Sequence, residues 1–179
     1  YILLTHGHGD HASGAAPLAK KTGAKIFATF ELAMLMQKEG VENVQPMNKG
    51  GAVKTEEGLS ITLTDAKHSS SYDASDGNTY YAGEAAGVVL GLESGKNIYH
   101  AGDTSLFSDM QLIGERYKPE VALLPIGDCF TMDAKDAAKA LKLIKPKTVI
   151  PIHHSTFPLL TDSPEDFEKA VGDSEVKIV

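Results

Sequence analysis

The stretch YILLTHGHGDH occupies residues 1–11 and decides the fold class. Its first five residues have the apolar and β-branched character of a buried strand. Three histidines and one aspartate then fall within six residues: His6, His8, Asp10 and His11. Burying imidazoles and a carboxylate without partners costs free energy, whereas a bound cation offsets that cost. The stretch therefore predicts a metal site at the end of a strand.

Length and composition are those of an ordinary globular enzyme domain. The chain has 179 residues, 42% of them hydrophobic and 23% charged, which is enough for one core, so we expect a single domain over residues 1–179. The formal net charge is -7 and there is no run of Lys or Arg, which argues against nucleic acid as a partner. No apolar stretch reaches the roughly 18 residues that a membrane span needs.

Cys129 is the only cysteine, which excludes an intrachain disulfide and a zinc site built from thiolates. A protein of this kind fits the reducing cytoplasm, where we expect it to be located. Cys129 has no basic neighbour in the sequence, so we expect a buried and inert thiol.

Strand-like and helix-like patterns alternate along the chain, which is typical of a layered α/β fold. Residues 69–84 are rich in Ser, Asp, Gly and Tyr and predict a long functional loop. The remaining patterns predict strands at 25–28, 59–64, 87–92, 97–101, 121–124 and 148–152, and helices at 12–21, 30–38, 106–116, 134–144 and from 164 onward.

Further metal-type side chains follow later strands of the predicted sheet. His68 comes after the strand at 59–64, Asp103 after 97–101, and His153 directly after 148–152. Strand ends in layered α/β folds meet at one rim, so we expect these side chains to join the opening cluster. Gly7 and Gly9 are expected to let the opening segment turn tightly.

These motifs together resemble the metallo-β-lactamase fold superfamily. The stretches YHAGDT (99–104), PIG (125–127), FTMD (130–133) and PIHHSTFP (151–158) are similar to the metal-dependent hydrolases related to ascorbate-phosphate lactonase, the UPF0173-like proteins. The resemblance implies an α/β fold, specifically an αββα sandwich. Members carry two or three strands before the His-x-His-x-Asp-His motif, so the resemblance also implies that N-terminal strands are missing from this chain.

The resemblance implies a dinuclear site with seven ligands. It assigns His6, His8 and His68 to the first ion, Asp10, His11 and His153 to the second, and Asp103 to a bridging position. His8 stands where di-iron relatives usually carry Glu, which favours two Zn²⁺ ions over iron. Mn²⁺ is an alternative because nitrogen and oxygen ligands discriminate weakly between these metals.

The implied reaction is hydrolysis by a hydroxide shared between the two ions, with Asp10 as both ligand and acid/base group. A further donor to the developing oxyanion is sought among His100, His154 and Tyr72. We choose His153 over His154 as ligand because adjacent side chains on a strand face opposite ways. His100 is expected to be a hydrogen-bonded strand residue near the site.

The expected substrate is a small ester or lactone, phosphorylated or not. The alternatives are a phosphodiesterase or nuclease of the same fold, and a di-iron redox protein. A homo-oligomer, or a partner chain that supplies N-terminal strands, is left open by the sequence. Serine catalysis is rejected because the chain contains no Gly-x-Ser-x-Gly motif.

Overall fold

The computed structural model describes residues 1–179, and its strands and helices form a sandwich of two main sheets between helical layers. The strands are β1 (Ile2–Leu3), β2 (Ile26–Thr29), β3 (Val44–Met47), β4 (Ala52–Lys54), β5 (Ser60–Asp65), β6 (Ser71–Asp73), β7 (Thr79–Tyr81), β8 (Ala86–Gly91), β9 (Asn97–His100), β10 (Val121–Pro125), β11 (Thr148–Ile152) and β12 (Lys177–Ile178). The helices are α1 (Gly9–Ala12), α2 (Ala15–Thr22), α3 (Phe30–Lys38), α4 (Met110–Tyr117), α5 (Ala134–Ile144) and α6 (Pro164–Val171).

The larger sheet has seven strands in the order β12-β11-β10-β9-β8-β5-β4. Strands β9 to β12 are parallel, whereas β8 is antiparallel to both β9 and β5. Strands β5, β9 and β11 therefore run in the same direction. Their carboxyl ends lie at one edge of the sheet, and His68, Asp103 and His153 follow these ends.

The smaller sheet contains β1, β2 and β3 in parallel, and β6 pairs with β7 as a separate hairpin. Phe27 and Met47 of the smaller sheet pack against Ile61, Leu63 and Val88 of the larger one. This apolar contact between the two sheets is the centre of the sandwich.

Helices cover both outer faces of the sandwich. Leu32 and Met36 of α3 pack on β2, together with the small side chains of α2. Leu141 and Ile144 of α5 and Phe167 of α6 pack on the outer face of the larger sheet. The predicted αββα architecture is confirmed. None of the six helices combines the length and apolar character that crossing a bilayer requires.

Several elements match the sequence patterns because their end signals are strong. Asp133 caps α5 by accepting a hydrogen bond from the Asp136 amide, and Ser163 begins α6 with a capping box. Helix α3 and strand β11 have the predicted bounds.

Other elements differ from the prediction. The helix expected at 12–21 begins only at Ala15, as α2, and the short helix α1 precedes it. The loop expected at 69–84 contains the β6–β7 hairpin. Helix α4 begins at Met110 instead of residue 106. Strands β3, β4 and β12 were not predicted.

Candidate metal centre

Three histidines form the first group of the centre. His6 and His8 lie between β1 and α1, and His68 follows β5. Their ring centroids are 4.7 to 5.1 Å apart and each pair of rings is close to perpendicular, at 78 to 82°. One nitrogen from each ring lies within 4.8 Å of the other two, so the three imidazoles can share one ion.

The second group contains two histidines and two aspartates. Asp10 and His11 belong to α1, Asp103 follows β9, and His153 follows β11. One ligand atom from each of the four lies within 4.8 Å of the others. Oδ2 of Asp10 is 3.1 Å from Nε2 of His11 and 3.4 Å from Nε2 of His153. These atoms can surround a second ion.

Asp103 lies between the two groups. Its Oδ2 is 3.8 Å from Nε2 of His6 and 3.7 Å from Nε2 of His68 in the first group. The same oxygen is 3.3 Å from Nε2 of His11 and 3.2 Å from Nε2 of His153 in the second group. Asp103 is 3% exposed, and its carboxylate is close to imidazoles of both groups.

The donor atoms fit a pair of divalent cations. Four buried polar atoms of the centre have no hydrogen-bond partner: His6 Nε2, His11 Nε2, Asp103 Oδ1 and His153 Nδ1. Leaving such atoms unpaired costs roughly 1–3 kcal/mol each, a cost that coordination removes wherever the lone pair faces an ion. Imidazole and carboxylate donors without thiolate suit zinc or manganese.

Burial and neighbouring charges set the protonation states of the centre. Burial, together with the charge of His11, lowers the pKa of His6 to about 3, and burial also lowers the pKa of His68. Burial opposes ionisation of Asp103, but the nearby imidazoles of His11 and His153 outweigh it and hold the pKa of Asp103 well below its usual range. The carboxylate of Asp103, 3.2 Å from Nε2 of His153, raises the pKa of His153. At neutral pH His6 and His68 are neutral and Asp103 is a carboxylate, as metal ligation requires.

Two hydrogen bonds orient groups that face the centre. Oγ1 of Thr5 is 3.0 Å from Nδ1 of His6, which leaves Nε2 of that ring directed at Asp103. Nδ1 of His100 accepts a hydrogen bond of 3.0 Å from the amide of Gly102, next to Asp103. His100 is thus a hydrogen-bonded strand residue near the site, in line with the expectation.

Side-chain hydroxyls join the loops that carry the ligands. Oγ of Ser70 accepts a hydrogen bond of 3.1 Å from the Gly7 amide, between His6 and His8. Oγ1 of Thr104 accepts one of 2.9 Å from the Lys67 amide, next to His68. Sequence reasoning missed these two residues because a hydroxyl that supports a loop has no distinctive sequence pattern.

Gly7 and Gly9 were expected to allow a tight turn of the backbone, but the structure gives them a different role. Neither Gly7 nor Gly9 has a positive φ. A Cβ on Gly7 would lie 2.6 Å from the carbonyl oxygen of Ser71 and 2.7 Å from the Cβ of Ala82, so Gly7 permits close packing against the hairpin. Gly9 has open space around it and begins α1.

His153 is held in an unusual backbone conformation. Its φ is 54°, a value that costs free energy for a residue with a side chain. The neighbouring strand end supports this turn, because Gly127 lies so close that a Cβ there would overlap the carbonyl oxygen of His153. The Gly of the PIG motif therefore has a role in placing a candidate ligand.

A pocket of ≈ 510 Å³ opens directly onto the two groups. Its polar lining consists of His8, Asp10, His68, Ser69, Asp103 and His153. The rest of its lining consists of four apolar residues to which the sequence analysis gave no role in the site: Phe130, Phe157, Pro158 and Leu159. The pocket is large enough for a small-molecule substrate.

Three sequence expectations need correction around this pocket. Tyr72 is 5% exposed and lies in the apolar cluster beneath the smaller sheet, so it is not a pocket donor. His154 does not line the pocket, and its Nδ1 pairs with Oγ of Ser155 at 3.1 Å. Cys129 is exposed instead of buried, because a left-handed turn through Asp128 and Cys129 carries the thiol to the surface.

Comparisons with known proteins identify the family of this chain. Residues 1–154 match the family model of the beta-lactamase superfamily domain. The chain is 49% identical to a UPF0173 metal-dependent hydrolase of Rubrobacter xylanophilus, over 94% of this chain and 69% of that protein. It is 50% identical to a protein of the same description from Methanopyrus kandleri, over 95% of this chain and 73% of that one.

A solved structure shows the same fold. Igni18, described as a novel metallo hydrolase from the archaeon Ignicoccus hospitalis, superposes with a TM-score of 0.87 at 40% identity and covers 99% of this chain and 73% of that one. Family model, sequence relatives and structure agree. The chain therefore belongs to the beta-lactamase superfamily, among its UPF0173 metal-dependent hydrolases.

Proposed function

We propose that this chain hydrolyses a small ester or lactone, phosphorylated or not, by means of a dinuclear metal centre that holds two zinc ions. One observation carries the proposal. Oδ2 of Asp103 lies within 3.8 Å of four imidazole nitrogens, two from each group, so one carboxylate is shared by two adjacent sites.

Each group of residues would hold one of the two ions. His6, His8 and His68 would hold the first, Asp10, His11 and His153 the second, and Asp103 would bridge them. Two bound divalent ions supply a water activated near neutral pH and a Lewis acid for the substrate oxygen. Zinc is preferred because His8 stands where di-iron relatives usually carry Glu, and manganese is the alternative metal.

Asp10 is the proposed acid/base group. Its side chain is 36% exposed and lines the pocket, whereas the Asp103 side chain is only 4% exposed. A carboxylate at the pocket surface can orient the attacking water, accept its proton and pass that proton to the leaving group. No side chain of the protein then has to act as nucleophile.

Adjacent histidines give a matched test of this proposal. We expect His153→Ala to lower turnover of an ester or lactone by at least roughly 100-fold and to reduce the bound metal, since a ligand is lost. His154→Ala is the control and should keep both, because that side chain does not line the pocket. The measurement is metal content together with turnover of a panel of esters and lactones, with and without chelator.

The outcomes separate clearly. Turnover that survives chelation, or a His153→Ala protein with the metal content and rate of the parent chain, would contradict the proposal. A parent chain loaded with manganese would change the metal and leave the dinuclear assignment in place.

A further inference from the structure

Four of the residues that line the pocket are apolar, and we call them the apolar wall: Phe130, Phe157, Pro158 and Leu159. Phe130 is 48% exposed, Phe157 44% and Leu159 58%, although exposure of large apolar side chains is unfavourable. The Phe157 ring centroid is 6.5 Å from that of His153, so the wall adjoins the metal centre at Phe157. A group attached to a reacting carbonyl would lie against it.

The pocket offers no cation from the protein. No Lys or Arg lines it, and its two carboxylates, Asp10 and Asp103, belong to the metal centre. Lys67 is the basic residue next to His68 in sequence, but its Nζ pairs with Oδ2 of Asp65 at 2.5 Å. A phosphate or carboxylate remote from the ions would thus lose water against the wall without gaining a charged partner.

We propose that the substrate carries an uncharged acyl or aryl group beside its hydrolysable carbonyl, and that the apolar wall binds this group. A substrate with a remote phosphate or second carboxylate is disfavoured. This inference rests on the proposed function and narrows it, since the metal centre alone accepts either kind of ester or lactone.

Three hydroxamates test the inference by binding, without turnover. Acetohydroxamate reports on the metal centre, hexanohydroxamate adds an apolar chain, and the monohydroxamate of adipic acid places a carboxylate at the end of a chain of similar length. We expect hexanohydroxamate to bind the zinc-loaded protein roughly tenfold more tightly than acetohydroxamate, since four added CH₂ groups become partly buried. The adipic compound should bind more weakly than hexanohydroxamate. Titration calorimetry measures all three.

Variants assign the preference to the wall. Phe157→Ala should weaken hexanohydroxamate binding by about fivefold to tenfold and leave acetohydroxamate within about twofold. Phe30→Ala is the matched control, because Phe30 is 53% exposed and does not line the pocket. Leu159→Arg should reverse the order of the two longer probes, since it supplies the missing cation.

The result also distinguishes this inference from the proposed function. If acetohydroxamate fails to bind the metal-loaded protein, the dinuclear centre itself is wrong and the inference falls with it. If acetohydroxamate binds but the longer apolar chain brings no gain, the wall is not a substrate surface and the inference alone is overturned. A change of oligomeric state in Phe157→Ala, seen by sedimentation, would likewise overturn it by making the wall a contact between copies.

Discussion

At the scale of single residues, the unusual feature is the burial of groups that water normally solvates. His6 has no exposed surface and Asp103 is 3% exposed, yet each has a polar atom without a hydrogen-bond partner. Such an arrangement is unfavourable in a protein without a ligand. These residues are placed for binding a cation at a cost to the stability of the metal-free chain.

Burial of the imidazoles predicts that the stability of the metal-free protein depends on pH. Burial lowers the pKa of His6 to about 3 and also lowers the pKa of His68 and His100, so protonation of these rings favours the unfolded chain. Stability should therefore be lost as pH falls below 6.5, their ordinary value. His6 alone accounts for about 2 kcal/mol of the free energy of unfolding between pH 6.5 and pH 5.

His153 and Asp103 stabilise the folded state, and their contributions to stability stay nearly constant between pH 6.5 and pH 5. The raised pKa of His153 stabilises the fold fully at every pH below 6.5, and the lowered pKa of Asp103 does so above 3.8. Urea unfolding of chelator-treated protein at the two pH values measures the effect. His6→Asn should reduce the difference, and a stability equal at both pH values would contradict the burial argument.

At the scale of elements, short segments between strands and helices hold the ligands in place. The segment from His6 to His8 lies against the β6–β7 hairpin, where Oγ of Ser70 accepts a hydrogen bond from the Gly7 amide.

The sequence patterns that predicted helices α3 and α5 depend on apolar spacing and caps, which are local signals. The hairpin lacks them, because its three-residue strands are too short to show alternation.

Substitutions at Gly7 and Gly9 distinguish the effect of close packing from the effect of backbone flexibility. Gly7→Ala should lower the free energy of unfolding by roughly 1–3 kcal/mol, since its Cβ would collide with Ser71 and Ala82. Gly9→Ala is the matched control and should be neutral or slightly stabilising, because Ala is the better helix former at an open position. Urea unfolding and zinc titration of both variants measure this, and equal losses in the two would argue against the hairpin contact.

At the scale of the whole molecule, the sandwich and the convergence of the seven candidate ligands could be predicted from the chain. Each of His68, Asp103 and His153 follows a strand, and the parallel direction of β5, β9 and β11 brings those ends to one edge. The ligand roles themselves stay predictions.

What could not be predicted depends on contacts between distant segments. Nothing local marks Phe157 or Leu159 as pocket residues, because they reach the centre only through the turn after His153. The exposure of Cys129 follows from a left-handed turn that its neighbours in sequence do not announce. Tyr72 was misplaced for the same reason, since burial beneath the smaller sheet is a tertiary property.

Anomalous diffraction at the zinc edge, from crystals of the zinc-loaded chain, tests the central claim most directly. We predict two peaks on either side of Asp103, one among His6, His8 and His68 and the other among Asp10, His11 and His153. In crystals of Asp103→Ala at least one peak should weaken or vanish, since both ions lose a shared ligand. A single peak, or none within this cluster, would contradict the dinuclear centre.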